Sequence, residues 1–141
     1  MTRTCCKGKA LPVVRKAFKS VLKASEIAQK MIRAGVCASD VHRAAAESMA
    51  SDGFLTGHTP DGIPCGFIHG LGHGLGRFVH DFGGLNPRAE RLLEPGMILT
   101  VEPGIYLPGW GGVRTEDDVL VTENGVKILS ERLSTDDAAL F

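Results

Sequence analysis

The sequence lacks the features that would send a chain to a membrane, a polyanion or an oxidising compartment. Its 141 residues carry a formal net charge of zero, so no global field draws it to nucleic acid. No apolar run approaches the length of a membrane span, and no targeting segment is expected ahead of the fold. The four cysteines (Cys5, Cys6, Cys37 and Cys65) include no C-x-x-C pair, and the adjacent Cys5 and Cys6 do not make a disulfide framework. Reduced thiols in a cytoplasmic protein are the expectation, with neither nucleic acid nor membrane as a partner. There is no internal repeat, no low-complexity tract and no linker, so residues 1–141 are read as one domain.

What is present is unevenly distributed. Residues 1–52 hold ten Lys/Arg against four Asp/Glu, giving +6, and residues 53–141 hold six against twelve, giving −6. Arg15, Lys19, Lys23, Lys30 and Arg33 recur on one helical face, which reads as a solvated stripe. Val14, Phe18, Val21, Leu22, Ala28, Met31 and Ile32 fall at three- and four-residue spacings and predict an amphipathic helix over 11–34. Pro12 suits its first turn and Gly35 its stop. A second helix is expected from about Asp40 to Ser51, capped by Ser39 or Asp40 and stopped at Gly53. His42, within it, reads as an ordinary surface histidine.

Past residue 52 the texture changes. Sixteen of the eighteen glycines lie between Gly53 and Gly125, which predicts strands, tight turns and close backbone approach. Met97–Glu102 and Asp118–Thr122 read as strands, and Glu123-Asn124-Gly125 as a hairpin turn into Val126–Leu129. Two helices followed by a glycine-rich antiparallel sheet make an α+β domain.

Three segments carry groups capable of chemistry. In His69-Gly-Leu-Gly-His73-Gly-Leu-Gly76, four glycines at alternate positions oppose a helix by about 1 kcal/mol each. An extended chain there puts the glycines on one bare face, and His69 and His73 on the other, roughly 13 Å apart. They are too far apart for one ion, so one is expected to bind metal and the other to reach towards substrate. His80 follows in Val79-His80-Asp81, and three histidines within twelve residues point to a site rather than to structural histidines. A phosphate cradle is disfavoured, because neither a helix N-terminus nor Lys-Ser/Thr follows.

Glu102 closes the apolar run Met97-Ile98-Leu99, where a buried carboxylate calls for a cation or an arginine. Arg114 and Glu116, in Gly112-Val-Arg-Thr-Glu116, are read as projecting from one strand face. Asp117 and Asp118 are read as a solvated turn or strand start. One imidazole with two carboxylates suits manganese, cobalt or zinc in a hydrolytic site better than a structural zinc.

These motifs, His69–His80, Leu93–Tyr106 and Gly112–Gly125, resemble those of the pita-bread metallopeptidases, the family of prolidase, aminopeptidase P and methionine aminopeptidase. The resemblance covers nearly the whole chain. It implies a pita-bread fold truncated at its amino-terminal side, with the carboxy-terminal part of the catalytic domain present. It also implies a metal-dependent peptidase cutting the bond before proline in a peptide substrate, with a homodimer as a possible assembly. By the resemblance His73, Glu102 and Glu116 are metal ligands, Glu116 bridging two divalent ions. His69 and His80 contact substrate and stabilise the tetrahedral intermediate, Glu102 moves the proton, and Arg114 orients a carboxylate. Arg114 favours the Xaa-Pro branch over methionine aminopeptidase. The family's ligand set also includes two aspartates, the second just before a Thr-Arg-Thr segment. Here that segment is Thr2-Arg3-Thr4, so one ion or none is expected for these residues, and a catalytically incompetent fragment or module that binds peptide or protein partners is the competing reading.

Overall fold

The computed structural model describes residues 1–131. Two helices lead the chain, α1 (Pro12–Met31) and α2 (Ala38–Ser51). Nine short strands follow: β1 (Gly57–His58), β2 (Pro64–Cys65), β3 (Gly72–Gly74), β4 (Asp81–Leu85), β5 (Ile98–Val101), β6 (Gly104–Leu107), β7 (Gly111–Arg114), β8 (Asp117–Val121) and β9 (Val126–Ile128). Five of them form an antiparallel sheet in the order β4-β3-β5-β8-β9, and β1–β2 and β6–β7 are separate pairs. The helices cover this sheet system, and Ala17, Phe18, Val21, Val41 and Met49 pack with Leu99, Val101, Ile105, Val113 and Val119 in one buried core. At about 25 cal/mol per Å² of apolar surface removed from water, that core is the main source of stability.

Both helices form where apolar periodicity places them, but their ends differ from expectation. The first helix ends at Met31 rather than near residue 34, because Ile32 is already extended. The Ala34 and Gly35 N–H groups then donate to the Thr122 and Leu93 carbonyls instead of continuing the helix. The second helix starts two residues early. Cys37 is its N-cap, with no side-chain cap bond. In place of a Ser39 or Asp40 cap, the Ala38 and Ser39 N–H groups donate to the Arg91 and Ala89 carbonyls at 3.0 Å each.

In the sheet, the Glu123-Asn124-Gly125 turn joins β8 to β9, with Val121 paired to Val126. The expected long extension over 69–76 is shorter in fact, since only Gly72–Gly74 is strand and its partner β4 folds back against it. Close backbone approach is the reason for glycine at two of these positions. A Cβ at Gly72 would lie 1.8 Å from the Thr100 carbonyl oxygen, and one at Gly74 would lie 2.1 Å from that of Phe82. The expected solvated start at Asp117 is also corrected. Asp117 is buried and binds Arg3 Nη2 at 2.6 Å and the Ser130 hydroxyl at 2.8 Å. Residues 2–4 hydrogen-bond along Arg114–Glu116: the Glu116 N–H donates to Thr2 O at 2.9 Å, and Thr4 Oγ1 donates to Arg114 O at 2.7 Å.

Candidate metal centre

Three segments distant in sequence meet at one point. His73 stands on β3, Glu102 follows the end of β5, and Glu116 sits in the bend between β7 and β8. One ligand atom from each lies within 4.8 Å of the other two, the only such group of three His, Cys, Asp or Glu side chains among the described residues. Two donors on one ion with bonds of about 2.1 Å stand at most about 4.2 Å apart, so small rotamer adjustments bring the set onto a shared cation. His73 Nε2 lies 3.6 Å from Glu102 Oε1.

The surroundings prepare each donor. His73 Nδ1 lies 3.0 Å from the Gly74 carbonyl, which can only accept, so Nδ1 carries the proton and Nε2 presents its lone pair. The Thr100 hydroxyl accepts the His73 N–H at 2.9 Å and donates to Glu102 Oε1 at 3.3 Å. Glu116 Oε2 receives a short hydrogen bond from the Thr2 hydroxyl, which itself accepts from Arg114 Nη2 at 3.2 Å. Its other oxygen lies 3.6 Å from the Met1 nitrogen. Two carboxylates with side chains only 15% and 11% exposed repel each other in this setting. A cation between them relieves that repulsion, and the donor set therefore fits a divalent ion.

Arg114 serves the same pair. Its Nε stands 3.9 Å from Glu102 Oε2, so Glu102 faces an imidazole with one oxygen and a guanidinium with the other. Burial alone would lower the Arg114 pKa, but hydrogen bonding with Tyr106 and the nearby Glu102 and Glu116 carboxylates hold it above its ordinary value.

The remaining histidines divide. His80 is exposed and its ring centroid is 4.4 Å from that of His73. His69 is turned to other neighbours. Its Nδ1 donates to the Gly70 carbonyl at 2.7 Å, so its Nε2 accepts the Tyr106 hydroxyl at 3.1 Å. The imidazoles of His69 and His73 therefore engage different partners. Arg114 and Glu116 do not share one continuous strand, because β7 ends at Arg114. They still flank Glu102 from either side of the bend.

Sequence reasoning gave no role to Tyr106, Thr100, Thr2 or His42. The Tyr106 and Thr100 contacts lie inside motifs already singled out, but only the fold shows whom they touch. His42 is half-buried rather than on the surface, stacked on Phe67 at 5.1 Å between ring centroids. A signal existed, since residues 38, 41, 42, 45 and 49 form one helical stripe whose other members are fully buried.

An imidazole and two carboxylates held in this way, on a glycine-rich sheet backed by two helices, form a donor set that would suit a divalent ion. The profile of metallopeptidase family M24 matches residues 1–123, and the chain belongs to that family. It is 37% identical over 131 residues to the Xaa-Pro dipeptidase of Pyrococcus furiosus, covering 93% of this chain and 35% of that protein. An uncharacterised peptidase of Staphylococcus haemolyticus is 41% identical over 130 residues, covering 92% of this chain and 34% of the relative. Among solved structures, the Xaa-Pro dipeptidase from Bacillus anthracis superposes with a TM-score of 0.83 at 33% identity, over 94% of this chain and 35% of that one. The X-Pro aminopeptidase from Thermotoga maritima gives 0.82 at 33% identity, over 95% and 35%. The fold is therefore the pita-bread fold, present in part, and the chain spans about a third of the length of the relatives it matches.

Proposed function

We propose that this chain is the metal-binding part of a peptidase that hydrolyses the bond preceding proline, a reading supported by its likeness to proteins named Xaa-Pro dipeptidase and X-Pro aminopeptidase. The observation that carries the reading is the meeting of His73, Glu102 and Glu116 at one point. These residues would hold manganese, cobalt or zinc. An ion so placed lowers the pKa of water and polarises a carbonyl. Around it, Glu102 is positioned to pass the proton from water to the proline nitrogen as that C–N bond breaks. His80 donates to the carbonyl oxygen as it gains charge, and His69, steadied by Tyr106, contacts the peptide. Arg114 orients a substrate carboxylate, a task for which its planar guanidinium suits it.

By family resemblance the same reading adds two aspartate ligands to the set, and with Glu116 they would hold a second ion. It also places the protein in the cytoplasm, with a homodimer as its assembly. A catalytically silent module that binds one ion is the second reading, favoured by the three-ligand set among the described residues. Proline release from Xaa-Pro dipeptides in the presence of manganese tests the first. Turnover, however slow, is expected to need added ion, to require proline, and to vanish in His73→Ala. Equal cleavage of dipeptides without proline, or turnover untouched by His73→Ala, would contradict it.

A further inference from the structure

The Leu71 peptide lies between His69 and His73, and both of its polar groups are taken by other elements. Its carbonyl accepts the Glu102 N–H at 2.7 Å. Its N–H donates to His42 Nδ1 at 3.2 Å, across 29 residues of sequence. Leu71 is fully buried, so no water replaces His42 as acceptor without a rearrangement. A backbone N–H can only donate. His42 Nδ1 is therefore unprotonated and the imidazole carries its proton on Nε2.

The His42 ring is fixed by more than this bond. It stacks on Phe67 with an interplanar angle of 26°. Phe67 meets His69 edge-on at 5.2 Å, and His69 meets Tyr106 at 5.4 Å. The ring series thus runs from α2 to the residue whose hydroxyl bonds His69. His42 and His69 also line one open pocket of about 450 Å³ with Thr56, Phe67 and Arg88.

We infer that His42 is a positioning residue: from α2 it holds the Leu71 peptide, and through it sets the separation of His69 from the backbone of Glu102. The path is short and directional. His42 fixes the Leu71 N–H, Leu71 fixes the Glu102 N–H, and Glu102 carries one of the carboxylates of the proposed ion site. The link to ion binding rests on the function proposed above, whereas the grip on the backbone does not.

Two variants separate the grip from simple packing. His42→Phe keeps a ring against Phe67 but removes the acceptor. His42→Asn places an amide oxygen where Nδ1 stands and keeps the acceptor. Amide hydrogen exchange followed by NMR on the 141-residue chain reads the bond itself, and manganese titration reads its consequence. In His42→Phe, protection of the Leu71 and Glu102 amides is expected to fall at least about tenfold, an orphaned buried donor being the cause. Manganese affinity is expected to fall about tenfold with it, as for other supports of metal ligands. His42→Asn is expected to restore both to within a few-fold of the parent. Unchanged Leu71 protection in His42→Phe overturns the inference, and so does loss at Leu71 with Glu102 protection unmoved. Failure of His42→Asn to restore protection also overturns it, because packing would then be the cause. If the parent chain binds no manganese, the proposed ion site fails, while the exchange data still decide the role of His42.

Discussion

The Thr100 hydroxyl faces Glu102 Oε1 at 3.3 Å while accepting the His73 amide at 2.9 Å. One buried side chain thus ties the backbone of one proposed ligand to the carboxylate of another. Thr100→Val has nearly the same shape and removes both bonds. It is expected to cost about 1–3 kcal/mol for the orphaned His73 N–H, and about tenfold in manganese affinity. Urea denaturation and calorimetric titration measure the two effects. An unchanged affinity would show that Glu102 needs no such support.

Gly72 leaves no room for a methyl group, since the obstacle is the Thr100 backbone rather than a movable side chain. Gly72→Ala is expected to separate β3 from β5 and cost about 3 kcal/mol or more, the upper end of overpacking effects. A urea midpoint within experimental error of the parent would contradict the close approach of these strands.

Arg3 and Asp117 form a buried pair at 2.6 Å, with side chains 9% and 10% exposed. Arg3→Ala removes the cation facing Asp117 and leaves it the Ser130 hydroxyl and the Gln29 amide as partners. The expected cost is about 3–5 kcal/mol, read as a large fall in the denaturation midpoint. A loss below about 1 kcal/mol would mean that residues 2–4 do not pair with the Arg114–Glu116 segment as described.

Burial, and then the nearby His69, hold the His42 imidazole below its ordinary pKa of 6.5. The folded chain therefore takes up a proton at His42 less readily than the unfolded chain. The stability this contributes is present above about pH 6.5 and is lost as the pH falls through and below that value. The unfolding free energy of the parent is expected to decline more steeply between about pH 7 and 5 than that of His42→Asn, which has no group to titrate there. Parallel stability curves would contradict the neutral, accepting imidazole.

The parts of this fold that depend on local periodicity were legible in the sequence. Phe18, Val21 and Ala28 mark one face of α1, and Glu123-Asn124-Gly125 marks the β8–β9 hairpin. Helix ends were less so, because the partners that decide them, the Leu93, Ala89 and Arg91 carbonyls, lie fifty or more residues away. The β3–β4 and β6–β7 hairpins were hidden for a different reason. Gly72, Gly74, Gly111 and Gly112 carry no side chain with which to show alternation. Chemical identity narrowed the candidates to His69 or His73 with Glu102 and Glu116, and the family resemblance chose His73 among them. It gave no role to Thr2, Thr100 and His42, whose contacts with Glu116, His73 and Leu71 span 114, 27 and 29 residues.

Manganese titration of the 141-residue chain, beside His73→Ala and Glu116→Gln, tests the central claim most directly. The parent is expected to bind at most one ion per chain, weakly, and each substitution to reduce the affinity at least about tenfold while the Tm in chelator is retained. Two tight sites, or an affinity indifferent to both substitutions, would contradict it.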